Sequence, residues 1–311
     1  MRILKGWRAI SLSAVLWGMS AGAVFAGPSI GQFEIKDLEA EPGTVEFQSQ
    51  NAHSWGQPRR RLVEVAPGEY EYDDNSVTRQ RHALEIEMSL THFFRLRVGV
   101  EYEKERLDDP ANPAFANDFG SLKLEEIAAE GVVILIPVKE KQGVGLGALV
   151  EVEHSLEAGA SKSVSFGPIL EAQSGPWTAI ANLMLVHDFG GDQSERDSKW
   201  DFAYAAQLKY DLTDNWALAL EAYGTVDRLG NSGSPGESRA LFGDHDQHRM
   251  GPLIYYTYKA DTSGSVSNVS TGAFDSDDDD GTTVTIGVGL LAGLNQNTPD
   301  ATLKWSVEVE F

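Results

Sequence analysis

Leu84-Glu85-Ile86-Glu87-Met88-Ser89-Leu90, a break at Thr91-His92, and then Phe94-Arg95-Leu96-Arg97-Val98-Gly99-Val100-Glu101-Tyr102 alternate an apolar side chain with a polar or small one. A period of two belongs to a β-strand, whose successive side chains point to opposite faces. The tight break makes the pair a hairpin. Each limb is longer than the ~5–6 residues of a common soluble strand and suits the ~9–11 residues that cross a bilayer at a tilt.

The pattern repeats along the chain. Trp200, Phe202, Tyr204, Ala206, Leu208 and Tyr210 share one face, and Leu303, Trp305, Val307, Val309 and Phe311 share another at the C-terminus. In all, twelve strands are predicted, near 44–54, 78–90, 93–106, 118–136, 143–156, 163–173, 177–188, 200–212, 216–226, 248–259, 283–293 and 301–311. Short connections (Thr91-His92, Pro137–Gln142, Ser174–Pro176, Thr213–Asn215) alternate with mostly longer, polar ones at 55–77, 107–117, 157–162, 189–199 and 227–247. Short turns on one side and long loops on the other characterise an outer-membrane barrel, the turns lying in the periplasm. One connection breaks the rule. Residues 260–282 should form a short turn and instead run long and acidic through Asp277-Asp278-Asp279-Asp280, so either a solvated insertion sits there or the strand number differs by two.

Composition removes other classes. The 311 residues carry 25 Lys+Arg against 47 Asp+Glu, a net charge of -22, which argues against a nucleic-acid binder because that affinity comes from cations on phosphates. Cysteine is absent, which excludes disulfides, thiolate metal sites and a cysteine nucleophile. At 41% hydrophobic and 9% aromatic, the chain is too apolar for a disordered acidic tail.

Residues 1–26 read as a secretory signal peptide: Arg2, Lys5 and Arg8, an apolar stretch from Ala9 to Met19, and small residues ending Val24-Phe25-Ala26. A membrane anchor is the other reading, but the apolar stretch falls short of the ~20 residues of a spanning helix. The expected organisation is a signal peptide, a short lead at 27–43, and a single barrel over the rest of 27–311.

Only a closed sheet satisfies every backbone N–H and C=O inside hydrocarbon. The apolar face would then meet lipid and the charged face the interior. A soluble sandwich would share the alternation, with its apolar face as core. Strand length, loop asymmetry, aromatic strand ends (Trp177, Trp200, Tyr210, Trp216, Tyr256, Tyr258) and the terminal Phe311 favour the barrel. The alternating C-terminal strand ending in Phe311 resembles the assembly signal of Gram-negative outer-membrane proteins, which implies periplasmic chaperones and the barrel-assembly machinery as partners, besides outer-membrane lipid.

A narrower resemblance rests on His248-Arg249-Met250-Gly251-Pro252-Leu253-Ile254-Tyr255-Tyr256, on the closing strand after Thr298-Pro299-Asp300, and on Ile136-Pro137 before a short turn. These stretches are similar to those of the outer-membrane transporters associated with phenol-degradation pathways. That resemblance implies a twelve-stranded barrel passing small apolar compounds, with no catalytic residues. The acidic 260–282 segment departs from it.

Glu85, Glu87, Arg95, Arg97, Glu101 and Glu151 are the expected lining of the interior, either as cross-strand ion pairs that close it or as opposed walls of a narrow aqueous path. Asp244, His245 and His248 have the donor types of a transition-metal site, but His245 and His248, three apart at the start of a strand, would point to opposite faces, so a hydrated external loop is the preferred reading and no metal or other cofactor is expected. The acidic run ending at Gly281 fails as a calcium loop, since taking Gly281 as position six leaves Gly287 where Glu is required. A barrel hydrolase would need Ser and His together; His154 and His187 fall on the outward face, Ser155 and Ser165 on the inward one, and no Gly-x-Ser-x-Gly occurs. The sequence therefore points to an outer-membrane channel or transporter for small molecules, not an enzyme. A closed structural or adhesive barrel acting through its external loops is the alternative.

Overall fold

The structure is a computed structural model that describes residues 33–58, 62–66, 69–72, 75–109, 119–139, 142–157, 159–191, 200–230, 246–260 and 281–311. The expected signal peptide, Asp244, His245 and the acidic run within 261–280 lie outside the described residues.

Among the described residues fourteen strands follow one another: β1 (Val45–Pro58), β2 (Leu62–Ala66), β3 (Glu69–Tyr72), β4 (Ser76–Thr91), β5 (Phe94–Leu107), β6 (Lys123–Ile136), β7 (Gln142–Ser155), β8 (Lys162–Ser174), β9 (Trp177–Phe189), β10 (Trp200–Asp211), β11 (Trp216–Val226), β12 (Gln247–Ala260), β13 (Thr282–Gly293) and β14 (Ala301–Glu310). Twelve of them pair with their neighbours into one closed antiparallel barrel, sealed by β1 against β14. At the seam Phe311 N–H donates to Val45 C=O at 3.0 Å and Val45 N–H donates back at 3.3 Å, so the sheet has no open edge there. The strand number is twelve, as the alternation gives.

Two details differ from the expectation. The 55–77 connection holds a small antiparallel hairpin, β2–β3, outside the barrel sheet, and β1 runs on to Pro58. The fourth predicted strand, β6 of the structure, begins at Lys123 rather than 118, because Gly120 and Ser121 lie exposed in coil at the rim.

The outer surface explains the apolar parity. Leu84, Ile86, Met88, Leu90, Val98, Leu218 and Leu220 are all exposed, while their neighbours Glu85, Glu87, Arg97 and Glu221 are buried. Charges inside and leucines outside invert the arrangement of a soluble fold, and only a hydrocarbon solvent makes that stable. Trp177 meets Tyr210 and Trp216 meets Tyr256, both at 4.7 Å between ring centres, at the short-turn end of the wall. At the loop end Trp200 packs on Phe166 at 5.6 Å. Such rings suit the boundary between lipid and water.

Gly167-Pro168 in β8 and Gly251-Pro252 in β12 interrupt their ladders on one side, since proline has no N–H to donate. A Cβ on Gly167 would collide with the Leu183 carbonyl oxygen, and one on Gly251 with that of Leu290, so glycine is required at both close approaches.

Candidate functional site

The barrel interior is filled by a piece of the chain itself. Before β1, the segment Phe33–Glu41 enters from the short-turn end, where Gly43 N–H donates to Ser89 C=O at 2.8 Å. It runs up the interior until Phe33 packs on Tyr223, with ring centres 5.3 Å apart. Its apolar residues divide between two interior clusters. Phe33 and Ile35 join alanines of β1, β4, β10 and β11, Tyr223 of β11, Leu253 of β12 and Leu291 of β13, and Leu38 joins Val132, Ile134, Leu149, Ile169 and Met184 on β6 to β9.

An extended segment inside a barrel must satisfy its backbone without a ladder partner. Asn182 of β9, fully buried, accepts Lys36 N–H on Oδ1 at 2.8 Å and donates Nδ2–H to the Lys36 C=O at 2.7 Å. Glu171 of β8 accepts Leu38 N–H at 2.8 Å.

Charge does the rest. Lys36 Nζ pairs with Glu130, and Arg97 pairs with Glu34. Arg95 Nη1 lies 2.9 Å from Asp37 Oδ1, and its Nη2 donates to the Asp37 C=O at 2.6 Å. The wall partners are themselves cross-linked: Arg97 Nη2 donates to Glu87 Oε2 at 2.6 Å and Arg95 Nη1 stands 3.1 Å from Glu87 Oε1. Of the predicted lining residues, Glu85, Glu87, Arg95, Arg97 and Glu151 are buried in the interior, and Glu101 is half-buried, 3.5 Å from Arg81 Nε. Buried charges are tolerated when paired and fully hydrogen-bonded.

Sequence reasoning missed the part played by the lead and the apolar stretch of the inner wall. The lead supplies Glu34, Lys36 and Asp37 to the ion pairs. One wall of the interior is apolar, through Ile169, Leu149 and Met184. A further network centres on buried Glu221, which accepts from Lys304 Nζ at 2.8 Å, Gln207 Nε2 at 2.7 Å, Tyr223 and Tyr255. Two interior cavities, of about 10 and 20 Å³, admit single waters.

The other candidates fall elsewhere. His248 stacks on Tyr204, whose hydroxyl is 3.0 Å from its Nδ1, on the outward parity of β12. Among the described residues no group of three or more His, Cys, Asp or Glu is placed to hold a metal ion. Ser165 donates inward to Glu151 at 3.2 Å, whereas His187 stacks on outward Trp200 at 4.7 Å, so the wall separates them.

No protein-family model and no curated protein matches the chain. The chain is similar in structure to an outer membrane channel from Pseudomonas putida F1, at 13% identity over 89% of this chain and 98% of that one, with a TM-score of 0.52. Weaker alignments include the KdgM porin, 8% identical over 86% of this chain and 98% of that one (TM-score 0.40). OprD from Pseudomonas aeruginosa aligns at 9% identity over 89% and 98% (TM-score 0.34). The first likeness is one of fold: both chains form a closed β-barrel.

Proposed function

We propose that the protein is an outer-membrane channel for small solutes, in which Phe33–Glu41 occupies the path and sets whether it is open. The carrying observation is how that segment is held. No ladder runs along it; one side-chain amide, one carboxylate, ion pairs and a few apolar contacts fix it in place. A segment held this way can leave as a unit while the barrel, closed by its own hydrogen bonds, stays intact. Cleavage after Ala26 would put the segment close to a free N-terminus, leaving its passage out of the interior unobstructed by upstream chain.

Withdrawal would bare an apolar wall around Ile169, Leu149 and Met184 on β7 to β9, separated only by β6 from the β4–β5 wall that carries Arg95, Arg97, Glu85 and Glu87. Such a lining suits small solutes with an apolar body, in keeping with the substrate class implied by the resemblance noted in the sequence. Outer-membrane lipid contacts the belt, and the strand ending at Phe311 is the proposed handle for chaperones and assembly machinery.

The test is solute flux into liposomes containing refolded full-length protein or a variant lacking residues 33–41, with folding checked by heat-modifiable mobility. Flux should rise severalfold in the deletion variant. Absence of flux from both would reject the channel and leave the second reading, a permanently closed barrel acting through its external loops, which the water-sized cavities favour. Turnover of phospholipid or peptide by the pure protein would instead indicate an enzyme.

A further inference from the structure

Arg249 of β12 points inward near the loop end of the barrel and is only 3% exposed. Its guanidinium lies over the Phe33 ring, 4.7 Å from the centroid. Nη1 donates to Thr302 Oγ1 at 3.0 Å and Nη2 to Gln247 Oε1 at 2.8 Å, while Nε is buried without a hydrogen-bond partner. Arg79, Arg81, Arg95, Arg97, Lys36 and Lys304 each pair with at least one carboxylate. Arg249 alone of these inward cations has no carboxylate within ion-pair distance among the described residues, in a chain with 47 Asp+Glu.

A buried cation without a counter-ion is costly, and an aromatic face and two neutral acceptors offset only part of that cost. The same small cavity is lined by Arg79, Arg81, Ser54 and Gln57, which adds positive potential and neutral hydrogen-bonding groups. Arg249 Nε–H and an adjacent Nη–H remain available as the parallel fork that a carboxylate takes bidentately.

We propose that this cavity is a subsite for the carboxylate group of a small solute arriving from the loop end. It lies above the Phe33–Glu41 segment, so it can be filled while that segment is in place. The proposal goes beyond the channel reading and does not depend on conduction. At about 10 Å³ the cavity holds one water, so seating a carboxylate there displaces that water and widens the cavity toward the loop end.

Acetate is the probe, titrated calorimetrically at fixed ionic strength into refolded full-length protein in detergent, with acetamide as the neutral isostere. Acetate should bind saturably, acetamide should not, and Arg249→Met should weaken acetate at least tenfold. Arg249→Lys, which keeps the charge and removes the fork, should fall between the two and serves if the Met variant does not fold. No saturable acetate binding, equal affinity in the Arg249 variants, or chloride binding as tightly as acetate would overturn the carboxylate site. A protein that binds acetate but passes no solute in liposomes would lose the channel reading and keep this one.

Discussion

The carboxamide of Asn182 brackets the peptide unit of Lys36, accepting its N–H at 2.8 Å and donating to its C=O at 2.7 Å. One side chain of the wall thus stands in for the strand neighbour that the internal segment lacks. The relationship explains why a polar residue is fully buried in β9 between Ile180 and Met184.

Replacing Asn182 by Leu should loosen the segment while sparing the barrel. Two buried backbone groups lose their partners, a cost of roughly 2–3 kcal/mol, or about a hundredfold in the ratio of seated to displaced segment. Single-channel recording in planar bilayers should show a higher open fraction for Asn182→Leu, with unchanged conductance per opening.

Lys36 and Glu130 should be coupled. Lys36→Met leaves Glu130 buried with only the more distant Arg97 Nη1, 3.9 Å away, as a cation, at a cost of up to about 3–5 kcal/mol. Adding Glu130→Gln should recover much of that, so the double variant unfolds in denaturant closer to wild type than Lys36→Met does. Additive losses in the double-mutant cycle would mean that the pair carries no interaction.

Adjacent residues on β4 should respond oppositely to a change of polarity. Leu84 is half exposed on the outer face and Glu85 is buried inside. Leu84→Arg near the middle of the belt should cost about 2–4 kcal/mol of stability in lipid vesicles. Glu85→Leu should instead disturb the interior while leaving vesicle insertion intact, as vesicle flotation would register.

The barrel was legible because two solvents act on every strand, and the chain must alternate to satisfy both. The predicted runs 177–188 and 216–226 meet the observed Trp177–Phe189 and Trp216–Val226 almost residue for residue. The neighbouring positions of Arg95, Arg97 and Glu87 were legible for a related reason, since one tight turn sets the β4–β5 register that pairs Arg97 with Glu87. The internal segment was not. Phe33-Glu34-Ile35-Lys36 also alternates, but the Asn182 that brackets Lys36 lies 146 positions away, and nothing local links the two. The apolar inner wall was hidden too: Ile169 and Met184 interrupt the polar parity because Leu38 covers that wall, a fact that strand period does not encode.

The most direct test of the gating claim fastens the segment to the wall. Leu38 Cδ2 lies 2.5 Å from where a Cβ on Gly147 would stand, and the chain has no native cysteine to interfere. A Leu38→Cys/Gly147→Cys variant can therefore be oxidised to a disulfide that holds the segment in place and released with a reductant. Single-channel recording of the oxidised form should show silence, and reduction should bring conductance back to the level of the reduced control. Equal conductance before and after reduction, with the bond verified by mass spectrometry, would contradict the claim that Phe33–Glu41 closes this barrel.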